Sequence, residues 1–408
     1  MSESNPKIVG YFDLNSKVKQ KLLLILSLLL IIYSPLLGSL IKWDGKIPGY
    51  GDFPAVKSEI PVPGFSGIIF TIGVITELIF LILLIFPTLI GFKKPPIESN
   101  HQSSQTTIYP PWFKFGITLF LISFSIFWGK IPLVDDLLDP FMFVPVCWGI
   151  IIILDGIVYK RNEGKSLIAT KPQTLTLLAI ISSVGWFIFE YLNFFILENW
   201  YYPNNQVFTV YGNYVWYMVS YTVIFPFIFE FYYLFKTIPW LKDKYSYGPK
   251  ISISQNQKIF FLLTGIVLSC VMGLFPHQLF FTVWLNPVII MGAMLGLLGL
   301  WNVFTPLKHD DWSKLILIAM LLSGLIWEFN NFGSEKFYDY KPINPSYWKY
   351  SIPYVNYIHL PFSEMPILGY FGYIPYGWAC WIQWSLSANL FGFDESIILN
   401  EKNIKEGY

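Results

Sequence analysis

The chain has 408 residues, of which 54% are hydrophobic, 19% aromatic and only 13% charged. A soluble domain carries about 25% charged residues, so an ordinary soluble fold is excluded, and this much apolar surface also excludes disorder. With 27 basic against 26 acidic residues, the formal charge of +1 gives no bulk attraction for a nucleic acid. What remains is a polytopic membrane protein whose first partner is the lipid bilayer.

The first apolar run, Leu22–Ile41, corresponds to about 30 Å of helix, enough to cross the hydrocarbon core. Lys17, Lys19 and Lys21 precede it. The run is too long for a signal-peptide core and no A-x-A site follows, so it reads as an uncleaved anchor. Nine further runs follow in order: Phe65–Phe92, Trp112–Gly129, Pro140–Tyr159, Pro172–Leu197, Tyr214–Phe235, Ile259–Phe275, Pro287–Phe304, Leu315–Phe332 and Pro366–Phe391. The fold class expected is all-α, a transmembrane helix bundle of about ten spans. Cys147, Cys270 and Cys380 fall inside these runs, where a thiol behaves as a small hydrophobe.

Lys and Arg should concentrate in cytoplasmic loops. With the N-terminus inside, 19 of them lie in inner segments and 7 in outer loops. This predicts a cell-membrane protein with both termini cytoplasmic.

The chain also repeats itself. Phe189-Glu190-Tyr191-Leu192-Asn193-Phe194 is matched, 138 residues on, by Trp327-Glu328-Phe329-Asn330-Asn331-Phe332. Asp139-Pro140 is answered by Asn286-Pro287, and Pro226 by Pro375, each of the latter with a Tyr five residues earlier, Tyr221 and Tyr370. Four spans per unit return the chain to its starting side. The units are therefore expected to be parallel repeats about an axis along the membrane normal. The predicted organisation is a two-span N-terminal addition with its linker (1–111), a first four-span repeat (112–250), and a second repeat with a tail (251–408).

Trp327-Glu328-x-x-Asn331, taken with Glu364-Met365-Pro366-Ile367-Leu368-Gly369-Tyr370, resembles an uncharacterised group of multi-pass prokaryotic membrane proteins. The resemblance covers mainly the last eighty or so residues and the weaker copy near Glu190. It implies no activity. The group tends to carry a Glu shortly after the last Pro of this region; Ala379 and Cys380 stand there, while the first unit keeps Glu230.

An acid inside a span costs about 2.5–3.5 kcal/mol on insertion scales and marks a functional site by default. Glu190 and Glu328 are therefore the candidate catalytic or proton-handling groups, expected in the outer part of their spans. A Glu and an Asn three apart share a helix face, which brings Asn193 and Asn331 into the candidate set. Trp327, Phe189, Tyr221, Tyr370 and Glu364 complete the residues expected at a substrate. The competing reading of each Glu–Asn pair is hydrogen-bonding glue between spans. Aromatic runs follow both copies, Glu198–Tyr202 and Glu335–Tyr340; they suit a membrane–water boundary as well as a binding rim.

Weaker signals are set aside. Asp135-Asp136-x-x-Asp139 has the Mg²⁺–diphosphate spacing but no second acidic cluster, and His277 and His359 have no metal-box spacing. No metal site is expected and no cofactor is indicated. Asp155 and Glu163 flank Arg161 and are expected to pair with it, while Glu77 and Glu230 lack an acidic counterpart in the other unit.

Three readings remain open. The first is an apolar lipid or isoprenoid ligand, bound or processed in an outward-facing aromatic pocket between the repeats. The second is a proton-coupled transporter of a small solute. The third is a non-catalytic assembly protein.

Overall fold

The computed structural model describes residues 17–51, 62–93, 108–129, 135–245, 248–249, 253–300, 312–335 and 343–395. It is built of helices, with a single pair of two-residue strands among the described residues. The long helices are α1 (Lys17–Lys42), α2 (Gly67–Ile85), α3 (Pro111–Gly129), α4 (Phe143–Arg161) and α5 (Pro172–Leu192). They are followed by α6 (Val210–Tyr221), α7 (Ile224–Lys236), α8 (Gln255–Leu274), α9 (Thr282–Leu297), α10 (Trp312–Glu335) and α11 (Tyr373–Phe391). Strands β1 (Trp200–Tyr201) and β2 (Lys349–Tyr350) lie in the loops after α5 and α10.

Among the described residues, eight segments are long and apolar enough to cross a membrane, α6 and α7 counting as one over Val210–Lys236. The chain has the helices of a multi-pass membrane protein. Helices also stand at the two remaining predicted runs. One of them, α9, has only 16 residues, and α11 mixes Gln383 and Asn389 with its aromatics. Outer faces are apolar, as lipid requires: along α2, Ile68, Ile72, Ile75, Leu78, Ile79 and Ile82 are all exposed.

Small residues set the closest helix contacts, as is usual where lipid supplies no hydrophobic drive between helices. A Cβ on Gly38 of α1 would lie 1.8 Å from the Cys270 carbonyl oxygen of α8, and one on Gly273 would lie 1.9 Å from that of Pro35. The two backbones touch in both directions, which leaves no room for any side chain at either position. In the same way a Cβ on Gly149 of α4 would lie 2.8 Å from the Phe120 backbone of α3.

Helix α3 packs on α4 as α8 packs on α9; α4 packs on α7 as α9 packs on α11. Helices α5, α7, α10 and α11 form the centre, with α10 against α7 and α11 against α5. The buried core follows from their sequences. Helix α7 reads Ile-Phe-Pro-Phe-Ile-Phe-Glu-Phe-Tyr-Tyr, and with Glu230 and almost every other side chain buried it lies inside the bundle and not against lipid. Phe225, Phe227, Phe229, Tyr232 and Trp384 are fully buried there.

Pro226 has no N–H to close the turn before it, and the segment breaks between α6 and α7 at Thr222–Val223. The freed groups are satisfied from the side. Ser182 Oγ of α5 donates to the Tyr221 carbonyl at 2.5 Å and accepts from Phe225 N–H at 3.1 Å. This is the condition for broken backbone at membrane depth. Pro375 stands at the third position of α11, and the chain before it, Ile367–Gly372, is a 3₁₀ turn.

Candidate functional site

At the end of the bundle carrying β1 and β2, the two Glu–Asn pairs build the same local structure twice. Asn193 Nδ2 donates to the Trp200 carbonyl at 2.8 Å, while Asn193 Oδ1 accepts from Trp200 N–H at 3.2 Å. Asn331 Nδ2 donates to the Trp348 carbonyl at 2.8 Å, and Asn331 Oδ1 accepts from Trp348 N–H at 3.0 Å. Each Asn thus clamps the backbone of a Trp-x-Tyr segment against the end of its helix. Each clamped segment then turns its side chains back to the carboxyl one turn below the Asn.

Glu190 accepts from Trp200 Nε1 at 3.1 Å and from the Tyr202 hydroxyl at 2.5 Å. Glu328 accepts from Trp348 Nε1 at 3.1 Å and from the Tyr350 hydroxyl at 2.5 Å. The third donor differs between the two. For Glu190 it is Trp186 Nε1 at 2.7 Å, one turn earlier on α5. The equivalent position on α10 is Gly324, whose missing side chain admits the Tyr373 ring; a Cβ there would lie 2.4 Å from it. Tyr373 accordingly donates its hydroxyl to Glu328 at 3.0 Å.

The two Trp-x-Tyr segments pair with one another. β1 and β2 are antiparallel, with Trp200 opposite Tyr350 and Tyr201 opposite Lys349. The pairing is symmetric about Tyr201 and Lys349, so the two clamps face each other across the strand pair. The loops are tied together further out as well, where Glu335 accepts from Asn204 Nδ2 at 2.6 Å and from Asn344 N–H at 3.0 Å.

Between the clamps lies one cavity of about 820 Å³, counted to its open mouth. Its walls are mostly rings: Trp186, Trp200, Tyr202 and Tyr221 from one side, and Trp327, Trp348, Tyr350 and Tyr373 from the other. Trp284 of α9 and Tyr376 of α11 also line it. Trp284 is stacked between neighbours, its ring centre 5.2 Å from Phe189 and 5.9 Å from Trp200, with both ring planes within 22°. Among the described residues, no Asp, Glu, Lys, Arg or His is part of the wall.

Neither carboxyl is on that wall; both stand one side chain behind it, bonded to rings that are. Burial first, then the neighbouring Glu190, pushes the Tyr202 phenol well above the ordinary tyrosine range. Tyr350 is shifted the same way by burial and Glu328. Both phenols therefore remain donors at neutral pH.

The predicted residues divide as follows. Trp327 and Tyr221 line the cavity, and Glu190 and Glu328 back it. Phe189 lies behind Trp284. Asn193 and Asn331 are buried clamps on backbone. Glu364 accepts from Tyr347 at 2.7 Å in the loop after β2, and the Tyr370 hydroxyl pairs with Ser363 at 2.8 Å; neither reaches the wall.

The counterpart of Trp200-x-Tyr202 differs from expectation. The run after Glu328 was expected at Glu335–Tyr340, of which 336–340 lie outside the described residues. The donors come instead from Trp348 and Tyr350, ten residues further from their Glu than in the first copy. The shared Trp-x-Tyr spacing is the signal that identifies them. Trp284 has no such signal, since it is a single Trp in an apolar run.

At the other end of the bundle, Asp155 does not pair with Arg161. Its oxygens accept from Trp112 Nε1 at 2.8 Å, Ser166 Oγ at 2.8 Å and Ile168 N–H at 2.9 Å. Glu230 lies nearby, with both its carboxyl oxygens buried. Arg161 donates to the Thr237 carbonyl at 3.3 Å. Asp139 is buried beside α4, while the side chains of Asp135 and Asp136 are outside the described set. Among the described residues, no three His, Cys, Asp or Glu come together as a metal site would need.

Comparison with protein-family models, with curated proteins and with solved structures returned no match. The functional reading therefore rests on the geometry of the site.

Proposed function

We propose that this protein binds an apolar lipid or isoprenoid chain in the aromatic cavity between its two Glu–Asn clamps. The observation that carries the reading is the wall itself: ring faces with no ionic side chain, in a cleft formed where two copies of one motif meet. Such a wall removes apolar surface from water at roughly 25 cal/mol per Å² and adds little for an ion. The carboxyls fit a positioning role, since each fixes three ring donors at its oxygens and thereby fixes the wall. Trp284 is the central wall element.

The wider frame of the proposal is a ten-span protein of the cell membrane, with α9 and α11 as the eighth and tenth crossings and both termini cytoplasmic. Two parallel four-span repeats place the cavity on the outward side. The identical Asn–backbone and Trp/Tyr–Glu bonds in both halves support the duplication, as do the matching helix partners.

The test is to purify the protein in mild detergent, extract bound lipids and identify them by mass spectrometry. A defined apolar lipid should be enriched, and Trp284→Ala should reduce its recovery severalfold. Recovery of bulk membrane lipid alone, the same in wild type and Trp284→Ala, would reject the reading.

A second reading, proton-coupled transport of a small solute, draws on one observation. The α6–α7 break and the 3₁₀ turn before α11 both border the cavity, and interrupted helices at matched positions are a transporter signature. It predicts pH-dependent uptake in proteoliposomes that Glu190→Gln and Glu328→Gln abolish.

A further inference from the structure

The cavity wall contains many polar atoms, but nearly all face away from it. The indoles of Trp186, Trp200 and Trp348 donate to Glu190 or Glu328, and so do the hydroxyls of Tyr202, Tyr350 and Tyr373. Ser220 and Ser346, also on the wall, satisfy each other at 3.2 Å. Trp327 and Tyr376 are different: both line the cavity, and Trp327 Nε1 and the Tyr376 hydroxyl have no hydrogen-bond partner among the described residues. The Tyr376 hydroxyl stands beside the Cys380 thiol, whereas Trp327, only 6% exposed, has no such neighbour for its N–H among the described residues.

A buried N–H left without an acceptor costs about 1–3 kcal/mol, so native proteins rarely leave one unanswered. Packing alone does not call for that atom. The same position in the first half is Phe189, which fills its place as a ring with no donor. An indole where a phenyl ring would pack points to an acceptor supplied from outside the chain. That acceptor must be uncharged, because the wall offers no ionic partner to a headgroup and an unpaired buried charge is very costly.

Resting on the lipid reading above, we propose that the occupant is an isoprenoid or fatty chain ending in one uncharged hydroxyl or carbonyl oxygen, and that this oxygen accepts a hydrogen bond from Trp327 Nε1. The apolar chain lies against the rings, and the oxygen fixes which way round it lies. The cavity thereby distinguishes a lipid alcohol or ketone from the plain hydrocarbon and from a phosphorylated form.

The experiment titrates the full-length protein in detergent with three probes of equal chain length, following tryptophan fluorescence. The probes are geranylgeraniol, its deoxy hydrocarbon and geranylgeranyl diphosphate. The alcohol should bind roughly fivefold to tenfold more tightly than the hydrocarbon, the worth of one hydrogen bond, and the diphosphate most weakly. Trp327→Phe should erase the alcohol's advantage over the hydrocarbon, read as the ratio of the two affinities, with thermal unfolding checking that the variant is folded. Equal affinity of wild type for alcohol and hydrocarbon overturns the proposal while leaving the lipid reading intact, and so does preference for the diphosphate. Failure of all three probes to bind overturns both. The wild-type comparison needs no variant, so the proposal is exposed even if Trp327→Phe does not fold.

Discussion

Asn193 satisfies both backbone groups of Trp200 in β1 and the N–H of Asn199 before it, and Asn331 satisfies both backbone groups of Trp348, the residue before β2. A strand pair this short has no stability of its own, so the clamps hold it. Replacing either Asn with Leu removes these bonds and leaves buried peptide groups unpaired. We expect a loss of about 2–4 kcal/mol, seen as a lower unfolding temperature in detergent and faster proteolysis in the loop after the affected helix. Glu328→Gln should act differently. The amide keeps the shape but exchanges one carboxyl oxygen for an NH₂ donor, which weakens acceptance from Trp348, Tyr350 and Tyr373. Lipid recovery should fall more than stability does. The acid and the amide of each pair were legible in the sequence because they share a helix face and recur as a pair. Their roles were not, because Asn–backbone bonds depend on where a distant loop returns. Trp284 was invisible for a related reason: it reaches the wall by packing of α9, and no local pattern marks that.

At the scale of elements, proline and glycine decide where helices open and where they close. Pro226 and Pro375 both stand just below the cavity, and the irregular backbone before each supplies wall residues: Tyr221, Val223 and Ile224 in one case, Gly369 and Gly372 in the other. The sequence showed both prolines at matched positions, but a kink alone does not reveal that Ser182 would heal the first break. Gly324 admits Tyr373 to Glu328. Gly324→Val should push that ring aside, cut lipid recovery and leave the Glu190 clamp intact, which tryptophan fluorescence of the Trp186–Trp200 pair (ring centres 6.0 Å apart) would report. Gly38 and Gly273 hold α1 to α8 through backbone contact. Gly273→Leu should separate these helices and lower the unfolding temperature by several degrees, because neither backbone can yield to a side chain.

Across the whole molecule, the alternation of apolar runs and loops was readable because the membrane imposes length and polarity directly on sequence. How the two halves meet was not, since it depends on a strand pair whose second member follows an extra ten residues. That pair offers a direct test of the arrangement. Residues opposite one another on antiparallel strands have Cα atoms about 4.5–5.5 Å apart, within disulfide range. Tyr201→Cys with Lys349→Cys should therefore form an intramolecular disulfide on mild oxidation. It would appear as a link between the fragments of a chain cleaved between α7 and α8. The Tyr201→Cys single variant should react with a membrane-impermeant maleimide added to intact cells, and protection from it would reverse the proposed orientation.

The Gly38–Gly273 crossing also has a consequence for how the chain is made. Helix α1 leaves the ribosome first, yet the partner that fills its small-residue face begins only at Gln255. At a synthesis rate of about 5–20 residues per second, α1 waits on the order of 10–40 s in the bilayer with that face against lipid. Its own hydrophobicity must hold it there alone, and the close backbone contact can form only after most of the chain has been inserted. Assembly is thus governed by a late event joining the first helix to the second half, and a chain truncated before α8 should leave α1 exposed to membrane quality control.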